Sequence, residues 1–300
     1  MAGHAHRTPI LTSSSLDEGV GGRVYLKCEN LQRIGAFKFR GAYVTISGLG
    51  DEDRGRGVVT HSSGNHGQAV ALAARLLGVA AHVVMPEGAA EVKVEAVRGY
   101  GAHLTRCAPT HTAREEAAAA VLRETGGTLI HPFDDGRIIA GQSTAAREMH
   151  EDAPEPLDLL LGPVGGGGLM SGACLATRHL GRTTAVVGVE PEGADDAARS
   201  FRSGSRQPVG VVDTIADGLR TPLSELTFGI LRANLEDLIT VDDEAIIRAM
   251  RWVWQRMKLV IEPSSAVPVA ALLDGKIDVR GKAVGILISG GNVDLDRLPW

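Results

Sequence analysis

The sequence predicts an α/β fold of parallel sheets covered on both faces by helices. Short apolar runs alternate along the chain with stretches of helical periodicity, and turns rich in glycine or polar residues join each run to the next stretch. One run, 284–288, is apolar throughout, as strands buried on both faces are.

In chain order, 58–60 is a short apolar run followed by the polar turn 61–65, and 67–77 is helical up to Gly78. Residues 81–85 read as a strand stopped by Pro86, 91–98 as a short helix stopped by Gly99, and 102–106 as a weaker strand. The alanine-rich 112–124 is helical and closed by Gly126 and Gly127, with a strand at 128–130 and a helix at 138–150. The run 158–161 leads through a glycine-rich turn into a helix at 169–180, and 184–189 is a further strand. Residues 244–258 carry Ile247, Met250, Val253, Trp254 and Met257 at helical spacing. The segment 193–212, rich in Gly, Ser, Arg and Asp, reads as surface loop, and 2–7 as the tail of a helix that begins upstream.

Three hundred residues allow two modest lobes or one large α/β unit. Aromatic residues make up 4%, so Ala, Val, Leu and Ile must build the core. A net charge of −5 with mixed signs argues against a nucleic-acid partner, which calls for a basic stripe. Cys28, Cys107 and Cys174 are odd in number, far apart and in no CxxC, so free buried thiols are expected. No apolar run is long enough to span a membrane and no charged-then-apolar leader opens the chain; a cytoplasmic location is the expectation.

Three segments carry chemistry. Gly165–Gly168 places four glycines between a strand and a helix, leaving backbone N–H groups unobstructed at a positive helix terminus. That is a phosphate cradle. Met170 and Ser171 stand where a dinucleotide pattern needs its third glycine, and Leu169 stands where a P-loop needs lysine, so both of those sites are disfavoured. In Gly35-Ala36-Phe37-Lys38-Phe39-Arg40-Gly41-Ala42 a lysine sits between two phenylalanines. Desolvation there lowers the pKa of the amine and makes it a nucleophile, although a lysine that snorkels to water explains the residue taken alone. In Ser62-Ser63-Gly64-Asn65-His66-Gly67, hydroxyls and N–H groups at a helix start suit a carboxylate, or equally an ordinary cap.

Taken together with Lys27–Gln32, Ile215–Gly218, Met257–Pro263 and Ser289–Asp294, these segments resemble, in order and spacing, the fold-type-II pyridoxal-phosphate enzymes, tryptophan synthase β-like in architecture. That family includes serine racemase and the threonine and serine dehydratases. The resemblance implies two domains, a larger one of 1–52 and 135–300 and a smaller inserted one of 53–134, and a homodimer. It implies that Lys38 holds pyridoxal 5'-phosphate as a Schiff base and then moves protons at Cα and Cβ. Phe37 packs on the cofactor ring, Gly165, Gly166, Gly167 and Gly168 hold its phosphate, Asn65 bonds its ring hydroxyl and Ser289 faces its pyridine nitrogen. A neutral hydroxyl at that nitrogen weakens the electron sink and favours prompt β-elimination over transamination.

By the same resemblance Ser62, Ser63, Asn65 and His66 bind the substrate carboxylate, and Arg114 and Asp217 stand near the substrate. Ser63 has a second implied role as the acid–base group on the face opposite Lys38. Glu190, Ala194 and Asp196 match a divalent-cation site, with oxygen donors suited to Mg²⁺, Ca²⁺ or Mn²⁺; a solvated acidic loop accounts for them equally. His131-Pro132-Phe133-Asp134-Asp135 and Asp217-Gly218-Leu219-Arg220-Thr221-Pro222 look more like the bacterial dehydratases than the racemases. The expected activity is therefore dehydration and deamination of L-threonine or L-serine to a 2-oxo acid and ammonia. Serine racemisation and dehydration of hydroxyaspartate are the alternatives, and the substrate in each case is a small amino acid.

Overall fold

The structure is a computed structural model that describes residues 3–62, 64–89 and 91–300. The chain opens with β1 (Ile10–Leu11), α1 (Ser14–Val20), β2 (Arg23–Cys28), α2 (Lys38–Ser47) and α3 (Asp51–Arg56). Next come β3 (Val58–His61), α4 (Asn65–Leu77), β4 (Ala81–Pro86), α5 (Glu91–Gly99), β5 (His103–Cys107), α6 (His111–Thr125) and β6 (Thr128–Leu129). They are followed by α7 (Gly136–Asp152), β7 (Leu159–Pro163), α8 (Gly168–His179), β8 (Ala185–Pro191) and α9 (Asp196–Ser203). The chain ends with α10 (Glu225–Asn234), β9 (Asp237–Val241), α11 (Asp243–Met257), α12 (Pro263–Leu273) and β10 (Ala283–Ile288). Two compact units result, one of Met1–Ala5 with Lys38–Gly141 and one of His6–Phe37 with Gln142–Trp300.

The smaller unit holds a wholly parallel sheet of order β5-β4-β3-β6. Successive residues of its strands face opposite sides. Val59 and Val84 pack with Cys107 against Ala118 and Val121 of α6, whereas Val83 and Met85 pack against Ala71 of α4 and Val94 and Val97 of α5. Helix α2 lies on α4.

The larger unit holds the sheet β1-β2-β10-β7-β8-β9, antiparallel only at β1. The same alternation explains its apolar strands. Val24, Leu26, Leu159, Leu161, Val284, Ile286 and Ile288 join one core with α11 and α12, while Tyr25, Leu160, Ala283 and Leu287 join another with α7 and α8. The central strands β7 and β10 are buried along their whole length, so residues of both faces must be apolar or small there. The cysteines Cys28, Cys107 and Cys174 are free and buried, and burial pushes the thiols of Cys28 and Cys174 up to about 12. Among the described residues no helix is long and apolar enough to cross a membrane.

Two expectations need correcting. The segment 193–212 is not all loop, because α9 runs through it. Its backbone N–H groups at Ala197 and Ala198 donate to the Glu190 carboxylate at 3.3 and 2.9 Å, and Arg199 pairs with Asp195 one turn back. Residues 3–9 form a turn and extended backbone rather than a helix tail, with Gly3 at φ +79°.

Candidate active site

In parallel sheets the loops that follow the carboxyl ends of the strands collect functional groups. In the smaller unit β3 delivers Ser62, Asn65 and His66 to that end. The N-cap of α4 is Gly64, which offers no side-chain cap, so the first-turn N–H groups are not answered from that position. Ser62 Oγ accepts from the Gly64 N–H at 3.2 Å and shapes the turn. A Cβ on Gly67 would stand 2.6 Å from the Ser62 carbonyl, so this position must lack a side chain. Ser63 lies outside the described residues.

His66 is buried. Its Nε2–H donates to the Ile130 carbonyl at 2.9 Å, and its buried Nδ1 has no hydrogen-bond partner. Burial, reinforced by the Lys38 charge, pushes its pKa down to about 3, so the ring is a neutral imidazole with a fixed tautomer. His131 is similarly lowered, first by burial, and its Nδ1 accepts from the N–H groups of Phe133 and Asp134 at 3.3 and 2.8 Å. Lys38 opens α2 and is half-buried, and its Nζ donates to the Pro132 carbonyl at 2.8 Å. Arg114 on α6 keeps its Nε buried with no partner.

In the larger unit β10, β7 and β8 are parallel neighbours, so Ser289, the glycine loop and Glu190 lie at the same, carboxyl end of one sheet. Helix α8 starts at Gly168 with Gly167 as N-cap, at φ +82° and without a side-chain cap. A Cβ on Gly167 would come within 2.7 Å of Leu223 Cδ2, and one on Gly165 within 2.8 Å of Leu219 Cα. The latter contact lays the 217–219 turn, with exposed Asp217, against the loop. The Ser171 hydroxyl in α8 is buried and unpartnered. An uncapped, dipole-positive helix start, glycines that exclude Cβ atoms and an orphaned hydroxyl fit the phosphate of pyridoxal phosphate. Ser289, buried at the end of β10, accepts the Phe37 N–H on its carbonyl at 3.0 Å.

Glu190 is wholly buried and Asp196 nearly so, and Ala194 lies beside them in the chain, also buried. Burial pushes Glu190 up to about 9 and also raises Asp196. Oxygen donors in such a setting fit a hard cation. The Glu190 carboxylate is nonetheless engaged as a cap for α9, and among the described residues no group of three or more His, Cys, Asp or Glu side chains is arranged to hold a metal.

Sequence reasoning missed Ser265 and the carbonyl of Pro132. Ser265 Oγ lies 2.8 Å from Ser289 Oγ. The only signal for it was a hydroxyl just inside a proline-started helix, which marks a helix start and not a partner.

Known proteins resemble this chain along nearly its whole length. Over 297 residues the chain is 46% identical to the β-hydroxyaspartate dehydratase of Paracoccus denitrificans, covering 99% of this chain and 94% of that one. It is 47% identical to the L-threo-3-hydroxyaspartate ammonia-lyase of Saccharomyces cerevisiae, over 98% of this chain and 90% of that one. The crystal structure of serine racemase from Dictyostelium discoideum superposes with a TM-score of 0.93 at 47% identity, covering 97% of this chain and 94% of that one. The pyridoxal-phosphate dependent enzyme family model matches residues 1–290. With α/β architecture, parallel sheets and these matches along nearly its whole length, the chain belongs to the fold-type-II pyridoxal-phosphate dependent enzymes.

Proposed function

We propose that this protein is an ammonia-lyase for small β-hydroxy amino acids, with 3-hydroxyaspartate as its preferred substrate and L-threonine and L-serine as poorer ones. The net reaction loses the β-hydroxyl and the α-amino group and yields a 2-oxo acid and ammonia, the water released in elimination being returned when the resulting imine hydrolyses. Bound pyridoxal phosphate supplies the sink for the electron pair left when Cα loses its proton.

The observation that carries the reading is the Lys38 amine, half-buried and donating to a neutral carbonyl, which suits it to take the Cα proton and hand one to the leaving hydroxyl. Ser62, Asn65, His66 and the N-terminus of α4 receive the α-carboxylate. The glycine loop holds the phosphate, Phe37 packs on the ring, Asn65 bonds its hydroxyl and Ser289 offers a neutral hydroxyl to the pyridine nitrogen. The unanswered Nε of Arg114 suits a second carboxylate on the substrate side chain, and the hydroxyaspartate relatives at 46% and 47% identity support that preference. Asp217, in the turn packed against the glycine loop, stands near the substrate in this reading. A Mg²⁺, Ca²⁺ or Mn²⁺ ion held by Glu190, Asp196 and the Ala194 carbonyl completes the reading, which takes the active form as a homodimer.

A 2-oxo acid assay with 3-hydroxyaspartate, L-threonine and L-serine tests this. The first is expected to show the highest kcat/KM by at least about tenfold, since a desolvated carboxylate–guanidinium pair is worth about 1.5–3 kcal/mol. Equal rates on all three would remove the side-chain carboxylate from the account.

Racemisation is a second reading, favoured by the 47% identity to the Dictyostelium serine racemase. Inverting Cα needs an acid–base group on the face opposite Lys38, and Ser63 is the hydroxyl the motif supplies. Ser63→Ala then abolishes formation of D-serine from L-serine while largely sparing deamination, as read by chiral chromatography beside the oxo-acid assay. D-serine formed equally fast by the variant assigns the second proton elsewhere.

A further inference from the structure

Ser265 sits in the first turn of α12, two residues after Pro263, and is wholly buried. Its Oγ has three neighbours: the Gly290 N–H at 2.6 Å, the Gly290 carbonyl at 2.7 Å and Ser289 Oγ at 2.8 Å. A hydroxyl has one proton to give. The Gly290 N–H donates to Ser265, so the Ser265 proton goes either to the Gly290 carbonyl or to Ser289. That carbonyl already accepts the Glu262 N–H at 3.1 Å. If Ser289 sends its own proton outward, two serine oxygens 2.8 Å apart would face each other bare unless Ser265 fills the gap.

We infer that Ser265 is a positioning residue: it takes the Gly290 N–H, gives its proton to Ser289 Oγ, and so aims the Ser289 proton at the pyridine nitrogen of the cofactor. The inference rests on the role proposed for Ser289. Its physical content is a one-way donor chain, Gly290 to Ser265 to Ser289, that polarises the last hydroxyl, because a hydroxyl that accepts a bond donates more strongly. A stronger neutral donor holds the pyridine nitrogen hydrogen-bonded and without a proton of its own, the state that suits elimination.

The test uses full-length protein titrated with pyridoxal phosphate, reading cofactor Kd and the position of the Schiff-base absorption band. Wild type, Ser265→Ala, Ser289→Ala and the double variant form a cycle. Ser265→Ala is expected to raise Kd about fivefold and to shift the band toward that of Ser289→Ala, the size of one net hydrogen bond. In the Ser289→Ala background, removing Ser265 is expected to change Kd by no more than about twofold and to leave the band where it is. Ser265→Thr, which keeps the hydroxyl, restores Kd and band, and Ser265→Val, of the same shape, does not; this pair answers the question if Ser265→Ala does not fold. Independent, multiplicative losses in the cycle, or matching Thr and Val variants, overturn the positioning role alone. A wild-type protein that gives no Schiff-base band at all overturns the functional reading itself.

Discussion

The backbone N–H of Phe37 donates to the carbonyl of Ser289 at 3.0 Å, tying the residue before Lys38 to the end of β10. The tie continues on either side. Ala36 bridges Gly290, the Gly291 N–H donates to the Gly35 carbonyl at 2.9 Å, and Asn292 Nδ2 donates to the Ile34 carbonyl at 2.6 Å. Ile34 and Gly35 both adopt positive φ, +59° and +71°, to make the turn. Gly35→Ala would strain that turn and press a Cβ to 2.6 Å from Asn292 Oδ1. A loss of about 1–2 kcal/mol is expected, seen as a lower Tm together with weaker cofactor binding. An unchanged Tm and Kd would mean that the turn relaxes freely.

Lys38→Ala removes the amine, including its hydrogen bond to the Pro132 carbonyl. Folded stability should change by only about 1 kcal/mol, while lyase activity should fall by at least about a thousandfold and the Schiff-base band should vanish. Circular dichroism, the oxo-acid assay and the visible spectrum separate the two effects. A variant that keeps the band assigns the Schiff base to another lysine.

His66 makes stability depend on acid. In the folded protein its pKa is about 3, below the ordinary 6.5, because burial and the nearby Lys38 charge oppose the imidazolium. The unfolded chain therefore binds this proton below pH 6.5 while the folded protein does not. The stability conferred by a neutral His66 is present above about 6.5 and is lost as pH falls from there toward 3. Between pH 7 and pH 5 the loss is at most about 2 kcal/mol from this residue. His82, His131 and His150 are lowered in the same direction, so the informative measurement is the difference between wild type and His66→Asn. Urea unfolding at the two pH values should show the flatter profile in the variant, and parallel profiles would contradict the assignment.

A chelator tests the acidic group. If a divalent cation joins Glu190 and Asp196, chelation should lower Tm by several degrees, and Mg²⁺, Ca²⁺ or Mn²⁺ should restore it, since a ligand that binds only the folded state stabilises it. In Glu190→Gln with Asp196→Asn this response should disappear. Should wild type ignore the chelator, Glu190 is left with its observed task of capping α9.

What the sequence by itself determined is local. Four glycines after an apolar run require a strand, an open turn and an uncapped helix start at Gly165–Gly168, because no other residue there leaves the backbone bare. The apolar runs of β3, β4, β7 and β10 were equally legible. Strand β2 was not, because Lys27 interrupts its apolar pattern. Only the fold shows that this lysine is wholly buried, its charge answered by Glu148 at 2.8 Å and the Thr8 carbonyl at 2.7 Å. Helix α9 was hidden for a similar reason: its cap is a carboxylate from β8, not a residue at its own start. The pairing of Ser265 with Ser289 depends on how α12 packs on the sheet and where β10 ends. Such meetings are set by strand order and register among distant segments, which spacing along one chain does not encode.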